Sequence, residues 1–145
     1  MVLLFNAVAT DTATICIFDV GAMKHRVNDV GDWWSIPANE LAEVQNGNAL
    51  FLNLGTDGTY QLEIVDEIDQ SAVSFNLNTP SGRVFIGAGE EMSGGGFEPE
   101  GMSGFFVEVR EPNYRVFVSR DGQRISVKFV AAPASRNEVS QLIRL

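Results

Sequence analysis

The sequence predicts a mainly β protein, an antiparallel meander that forms a β-sandwich or partly closed barrel, with one or two short helices. Period-two alternation of apolar and polar residues runs through most of the chain, and turn-forming clusters separate the alternating stretches. Only two short stretches have helical character. Alternation of this kind marks strands with one face buried and one face wet, the usual state of antiparallel sheets.

Taken in order, strands are expected near 2–8 and 12–18. "GAMKHRV" reads as a turn or two of helix, and "PANELAEVQNG" as a short helix with Pro37 early and Gly47 just past its end. "ALFLNL" is followed by the turn "GTDG" (55–58) and then "TYQLEIV", where Tyr60, Leu62 and Ile64 oppose Gln61 and Glu63. "SAVSFNL" places Val73, Phe75 and Leu77 on one face, and "NTPSG" (78–82) separates it from "RVFIG". Phe105, Val107 and Val109 alternate in "GFFVEVR", Tyr114, Val116 and Val118 in "YRVFVS", and Ile125, Val127 and Phe129 in "RISVKF". "EPN" and "RDG" bracket the strand at 114–119, and turns of this composition predict hairpins between successive strands. The closing "RNEVSQLIRL" fits strand or helix. With no internal repeat and no linker, residues 1–145 read as a single domain.

Composition narrows the functional classes. Hydrophobic residues make up 45% and charged residues 20% of the 145, a globular balance. "MVLLFNAVATD" has no basic residue ahead of its short apolar run, unlike a secretory signal. No apolar run approaches the roughly 18 residues that span a membrane. Cys16 is the only cysteine and sits among apolar β-branched neighbours, so it reads as a buried hydrophobe in a reducing compartment. A cytoplasmic location is expected. The net charge of −9 is carried entirely by residues 1–82, which hold 11 acids against Lys24 and Arg26. Such a distribution disfavours nucleic acid and anionic membranes as partners and favours a basic protein.

Catalytic and metal-binding patterns are missing. "GAGEEMSGGGFEPEGMSG" (87–104) has seven glycines and four glutamates but no base, and it matches neither phosphate-binding glycine fingerprint. It reads as a flexible inter-strand loop that could order against a partner through Glu90, Glu91, Glu98 and Glu100. It lacks the dense ligand alternation of a calcium loop, and His25 and Cys16 alone do not make a transition-metal site. No cofactor is expected. His25, the only histidine, has no paired serine or cysteine motif and reads as a surface or hydrogen-bonded structural residue.

Two acidic stretches are the candidate partner-binding residues. "EIVDEID" carries Glu63, Asp66, Glu67 and Asp69, and "NDVGDWW" carries Asp29 and Asp32 beside Trp33 and Trp34. Desolvated aromatics supply affinity in protein interfaces while carboxylates steer association. The expected arrangement has Trp34 in the core and Trp33 accessible as the anchor.

The order "TDTATICIFD…KHRVNDVGDWW", over about residues 10–34, resembles small bacterial immunity proteins and uncharacterised neighbours of toxin genes. The resemblance implies a cytosolic β-rich protein that neutralises a toxin by occlusion, not catalysis, and carries over no functional residue. Three rival readings stay open: a small-molecule-binding barrel with Trp33, Phe51 and Phe75 lining its pocket, an enzyme built from dispersed acids around His25, and an oligomeric component pairing through a strand edge such as 123–130.

Overall fold

The computed structural model describes residues 1–26, 28–29, 31–92 and 103–145. Among them the strands are β1 (Val2–Thr10), β2 (Thr14–Asp19), β3 (Ala49–Asn53), β4 (Gly58–Val65), β5 (Val73–Asn78), β6 (Arg83–Ala88), β7 (Gly104–Glu108), β8 (Asn113–Asp121) and β9 (Arg124–Ala131). One α-helix, α1 (Pro37–Gln45), and three 3-10 turns complete the regular structure. A five-stranded sheet in the order β1-β4-β9-β8-β5 packs against a four-stranded sheet in the order β3-β2-β6-β7. The sandwich expected from the alternation is therefore present, and it is not closed into a barrel.

The connections differ from those of a simple meander. The turns at 55–58, 78–82 and 110–112 each carry the chain from one sheet to the other. Among the described residues only "RDG" forms a tight hairpin, joining β8 to β9 with Gly122 at φ +62°. β4 and β9 pair in parallel, Gln61 opposite Arg124 through Ile64 opposite Val127, while the other strand pairs are antiparallel. Period-two alternation says that a strand has one buried face, but it does not say which sheet receives it. β9 is thereby an inner strand, so the 123–130 segment is not the exposed edge that the oligomer reading required.

The two sheets are buried to different degrees. In the five-stranded sheet Tyr60, Leu62, Ile64, Val116, Val118, Ile125 and Val127 face the interior, and the positions between them are wet. In the four-stranded sheet every residue of β2 is buried, as are Ala49–Leu52 and Val84–Ala88. One face of this sheet meets the other sheet. Its second face carries Cys16, Phe51 and Phe85, since Cys16 is opposite Phe51 and Phe18 opposite Phe85 in register. The segment between β2 and β3 covers that second face. Trp34 stacks on Phe51 at 6.0 Å and 7°, and Trp33 meets the same ring edge-on at 6.4 Å and 88°.

Both tryptophans are consequently buried, Trp33 at 7% and Trp34 at 3% exposure. The expectation of an accessible Trp33 is corrected: its indole N–H donates to the Met92 carbonyl at 3.2 Å, and the Arg26 guanidinium lies 4.4 Å above its ring. Two neighbouring indoles serve one surface because they sit in a 3-10 turn (Trp33–Ser35) and not in a strand. Further along the same face Phe85 packs against Phe106 at 5.3 Å. Gly87 leaves room for that ring, since a Cβ there would stand 2.5 Å from Phe85 Cζ.

Polar anchors hold the crossings. Asp19 is fully buried at the end of β2, where its carboxylate accepts from Gly21 N (2.7 Å), Ser81 Oγ (2.7 Å) and Gly82 N (2.8 Å), tying the β5–β6 crossing down. The last segment is neither helix nor regular strand. It runs extended across the open side between β5 and β3, where Asn137 Nδ2 donates to the Val44 and Asn76 carbonyls and Arg144 bridges Asn53.

Two outcomes follow from this packing. Asp19→Ala strips the acceptor from Gly21 N, Ser81 Oγ and Gly82 N, in partly buried hydrogen bonds, and is expected to cost about 1–3 kcal/mol, measured as a lowered urea midpoint. Acrylamide is expected to quench the native protein's fluorescence weakly and the urea-unfolded protein's strongly. A strongly quenched native component would contradict the burial of Trp33.

Candidate partner-binding surface

The acids singled out in the sequence fall into three separate places. Asp29 and Asp32 lie on the segment that covers the four-stranded sheet. Asp29 accepts from Arg26 Nη1 at 3.0 Å, and Arg26 Nε in turn donates to Glu43 at 2.7 Å. Glu43, projecting from α1 with 3% of its side chain exposed, also receives Asn48 Nδ2 at 2.9 Å and lies 2.8 Å from His25 Nε2. Burial pushes the Glu43 carboxyl up, but hydrogen bonds from Asn48, Arg26 and His25 outweigh it and hold the group below its ordinary value. The ring of His25 is thus committed to an internal carboxylate.

Glu63 is on the opposite side of the molecule, on the outer face of β4, where Ser126 Oγ donates to it at 3.2 Å and Arg124 Nε stands 3.5 Å away. The two acidic stretches therefore do not form one patch. Glu90 occupies a third place. Its carboxylate accepts from Thr10 Oγ1 (2.8 Å), Thr12 Oγ1 (2.7 Å) and Asp11 N (2.8 Å), clamping the β1–β2 crossing. Burial raises Glu90, yet the bonds from Asp11 and Thr12 bring it down to about 2. Asp11 is raised by the same contact. Glu91 beside it is half-buried and raised by burial and by the Glu90 charge. Glu98 and Glu100 lie outside the described residues.

What the fold does bring together is the end of β4 and the beginning of β1. Asp66, Glu67 and Asp69 are exposed in the turn that leaves β4. Val2 pairs with Val65, so the turn sits beside the first residues of β1, and Asp66 N donates to the Met1 carbonyl at 3.3 Å. Asp69 accepts from Ser71 N and Oγ, both at 2.8 Å, and these bonds lower its carboxyl. The neighbouring β1 residues form a run of exposed apolar side chains, Leu3 at 59% and Phe5 at 52%, with Val2 and Leu4 also exposed. A cleft of about 490 Å³ opens next to it between the sheets, lined by Leu3, Val65, Val107, Tyr114 and Phe129 among others.

Leu3 and Phe5 were not singled out as binding residues from sequence. The signal was there: "VLLF" is apolar at four consecutive positions, whereas every half-buried strand of this chain alternates. A consecutive run marks either full burial or an apolar outer face, and β1, as the outer strand of its sheet, takes the second. The pocket expected from Trp33, Phe51 and Phe75 does not form. Trp33 and Phe51 pack together on the far side of the four-stranded sheet, while Phe75 is opposite Val116 on the inner face of the other. Among the described residues no group of three or more histidine, cysteine, aspartate and glutamate side chains is placed to hold a metal ion, and no helix is long and apolar enough to cross a membrane.

Stability should follow the ionisation of Glu43. Because its carboxyl is lowered in the folded chain, the stabilisation is complete above the ordinary glutamate range and is lost as pH falls through the folded value. Glu43→Gln is expected to cost about 2–3 kcal/mol at neutral pH, somewhat less than for a fully buried pair because Arg26 keeps some solvent. It should also flatten the acid limb of a urea-midpoint-against-pH curve.

Comparison with known proteins places the chain. The profile of DUF6386, a family of unknown function, matches residues 1–145, and the chain belongs to that family. No curated protein matches it. Two solved structures share its fold. One is described as Crocagin biosynthetic gene J, 12% identical, TM-score 0.54, covering 87% of this chain and 93% of its own. The other is ComJ from Bacillus subtilis, inhibitor of the DNA-degrading activity of NucA, 9% identical, TM-score 0.54, covering 91% of this chain and 98% of its own. At these identities the likeness is one of fold.

Proposed function

We propose that this DUF6386 member is a single-domain, non-enzymatic protein-binding module of the immunity type, which masks a basic surface on a partner enzyme such as a nuclease. The observation that carries this reading is the juxtaposition of exposed apolar residues Leu3 and Phe5 with the carboxylates of Asp66, Glu67 and Asp69. Apolar side chains that lose water on docking supply affinity, and neighbouring carboxylates raise the encounter rate with a positive surface and fix its orientation. The fold shared with ComJ, whose described role is inhibition of a nuclease activity, supports the same class of action.

The acids engaged in internal bonds fit this reading. Asp19, Glu43 and Glu90 each accept several hydrogen bonds from the chain itself, so their carboxylate oxygens are engaged by the fold and not turned to a partner. In the exposed turn after β4, Asp66 pairs with the terminal ammonium at 2.9 Å and Asp69 accepts from Ser71, and with Glu67 these carboxylates stay at the surface, where they can face a partner. Masking needs no cofactor and no general acid or base.

The test is capture of basic proteins from host lysate at low salt, followed by association kinetics with the purified partner. Reversing charge at Asp66, Glu67 and Asp69 is expected to slow association roughly tenfold and to make it less sensitive to salt. Reversal at Asp29 and Asp32, on the opposite side, should leave the rate nearly unchanged. A loss confined to the Asp29 and Asp32 variant would move the surface to the tryptophan-bearing segment. A partner nuclease whose DNA degradation is unaffected by saturating amounts of this chain would refute masking.

A further inference from the structure

Resting on that reading, we propose that the free edge of β1 is a strand-addition site for an extended segment of a basic protein, apolar at its centre and basic at both ends. Among the described residues β1 is the outer strand of the five-stranded sheet and is paired on one side only, to β4. The direction of its backbone groups is set by one contact. Ala9 N donates to Ser103 Oγ at 3.2 Å, away from β4. Strand alternation then turns the N–H and C=O groups of Ala7 and Phe5 to the same open side, with those of Val8, Asn6 and Leu4 toward β4. An incoming strand finds donors and acceptors at Phe5 and Ala7, with the exposed Phe5 ring beside them.

Charge at both ends of β1 selects the occupant. Glu67 and Asp69 stand at its beginning, beside Asp66, which is paired with the terminal ammonium at 2.9 Å. Exposed Asp11 and Asp57 stand at its end, where Thr10 is opposite Gly58. β1 is nine residues long, so the two acidic ends lie roughly 25–30 Å apart, the length of an extended segment of about eight to ten residues. Lysine or arginine near each end of such a segment reaches carboxylates at both ends, while a second copy of this acidic chain is repelled.

The probe is a synthetic decapeptide, Lys-Arg-Thr-Val-Thr-Val-Thr-Val-Arg-Lys, compared with the same peptide carrying glutamate in place of every basic residue. Amide exchange by NMR on the labelled chain is expected to slow roughly tenfold at Phe5 and Ala7 with the basic peptide and to stay unchanged with the acidic one. Ala7→Pro removes an outward N–H without taking a bond from β4, a position where a strand tolerates proline. It should retain the native far-UV spectrum and weaken peptide binding at least about tenfold. Should Ala7→Pro fail to fold, Phe5→Lys, which alters only an exposed side chain, is expected to weaken the basic peptide and strengthen the acidic one. No binding of the basic peptide at about 1 mM, protection elsewhere than β1, or equal binding of both peptides would each overturn strand addition. The two proposals fail separately. A folded Ala7→Pro chain that still captures the basic partner, lost on charge reversal at Asp66, Glu67 and Asp69, removes strand addition and leaves masking in place. A partner retained after charge reversal removes the masking surface itself.

Discussion

The structure depends on one constraint: β2 is buried along its whole length, so the four-stranded sheet must be covered on both faces. A sandwich supplies one cover only. The second comes from the residues between β2 and β3, and the adjacent tryptophans are its main contribution of apolar surface. Phe51 is the platform, with Trp34 flat on it and Trp33 at its edge. Aromatic pairs in these geometries add to the burial of their own large area. The acidic residues flanking the tryptophans then become the outer surface of a covering layer instead of the rim of an exposed anchor.

A second theme is the use of carboxylates as fasteners. A chain that crosses repeatedly between two sheets leaves backbone N–H groups outside the strand ladders at each crossing, and these need acceptors. Asp19 supplies them at the β5–β6 crossing and Glu90 at the β1–β2 crossing. At the latter the backbone also turns through Ala13 at φ +53°, a conformation that alanine adopts at a cost of about 1–2 kcal/mol. Glu43 performs the same service for the covering layer, gathering His25, Arg26 and Asn48 around one oxygen pair. Of the eleven acids in residues 1–82, Asp19 and Glu43 are structural in this sense. Their charge persists, but their oxygens are engaged by the chain, and the surface carboxylates lie in the exposed turns.

Both proposed binding surfaces arise from the way the sheet ends. β1 has a paired side and an open side, and the residues on its outer face are apolar where natural edge strands are more often protected by charge or proline. The carboxylates sit at its two ends and not along it. Such an arrangement keeps the apolar edge accessible while adding long-range attraction for positive charge. The strap formed by the last residues protects the opposite side of the sandwich, where Asn137 and Arg144 engage β5 and β3 neighbours.

The sequence by itself determined where the strands run, the inward face of alternating ones such as β4 and β8, the short helix from Pro37 to Gln45 with Gly47 beyond it, and the absence of a recognisable catalytic motif, because these depend on local periodicity and on residue types that act within a few positions. It did not determine the partner of each strand. The turns at 55–58 and 78–82 have hairpin composition, yet they cross between sheets because pairing is decided by which faces must be covered, a long-range demand. Trp33 and Trp34 show the same limit. Adjacent residues in a strand face opposite ways, but in a 3-10 turn they reached one ring, so only the tertiary structure could bury both. Likewise Glu63, Asp66, Glu67 and Asp69 are close in sequence to one another and equivalent in composition to Asp29 and Asp32, but the layered packing separates Glu63 from the aspartates beside the tryptophans by the thickness of the molecule. Leu3 and Phe5 were legible as an unbroken apolar run. Their exposure was not, since an unbroken run is equally the mark of a buried strand, and only the position of β1 at the edge of its sheet decides between the two.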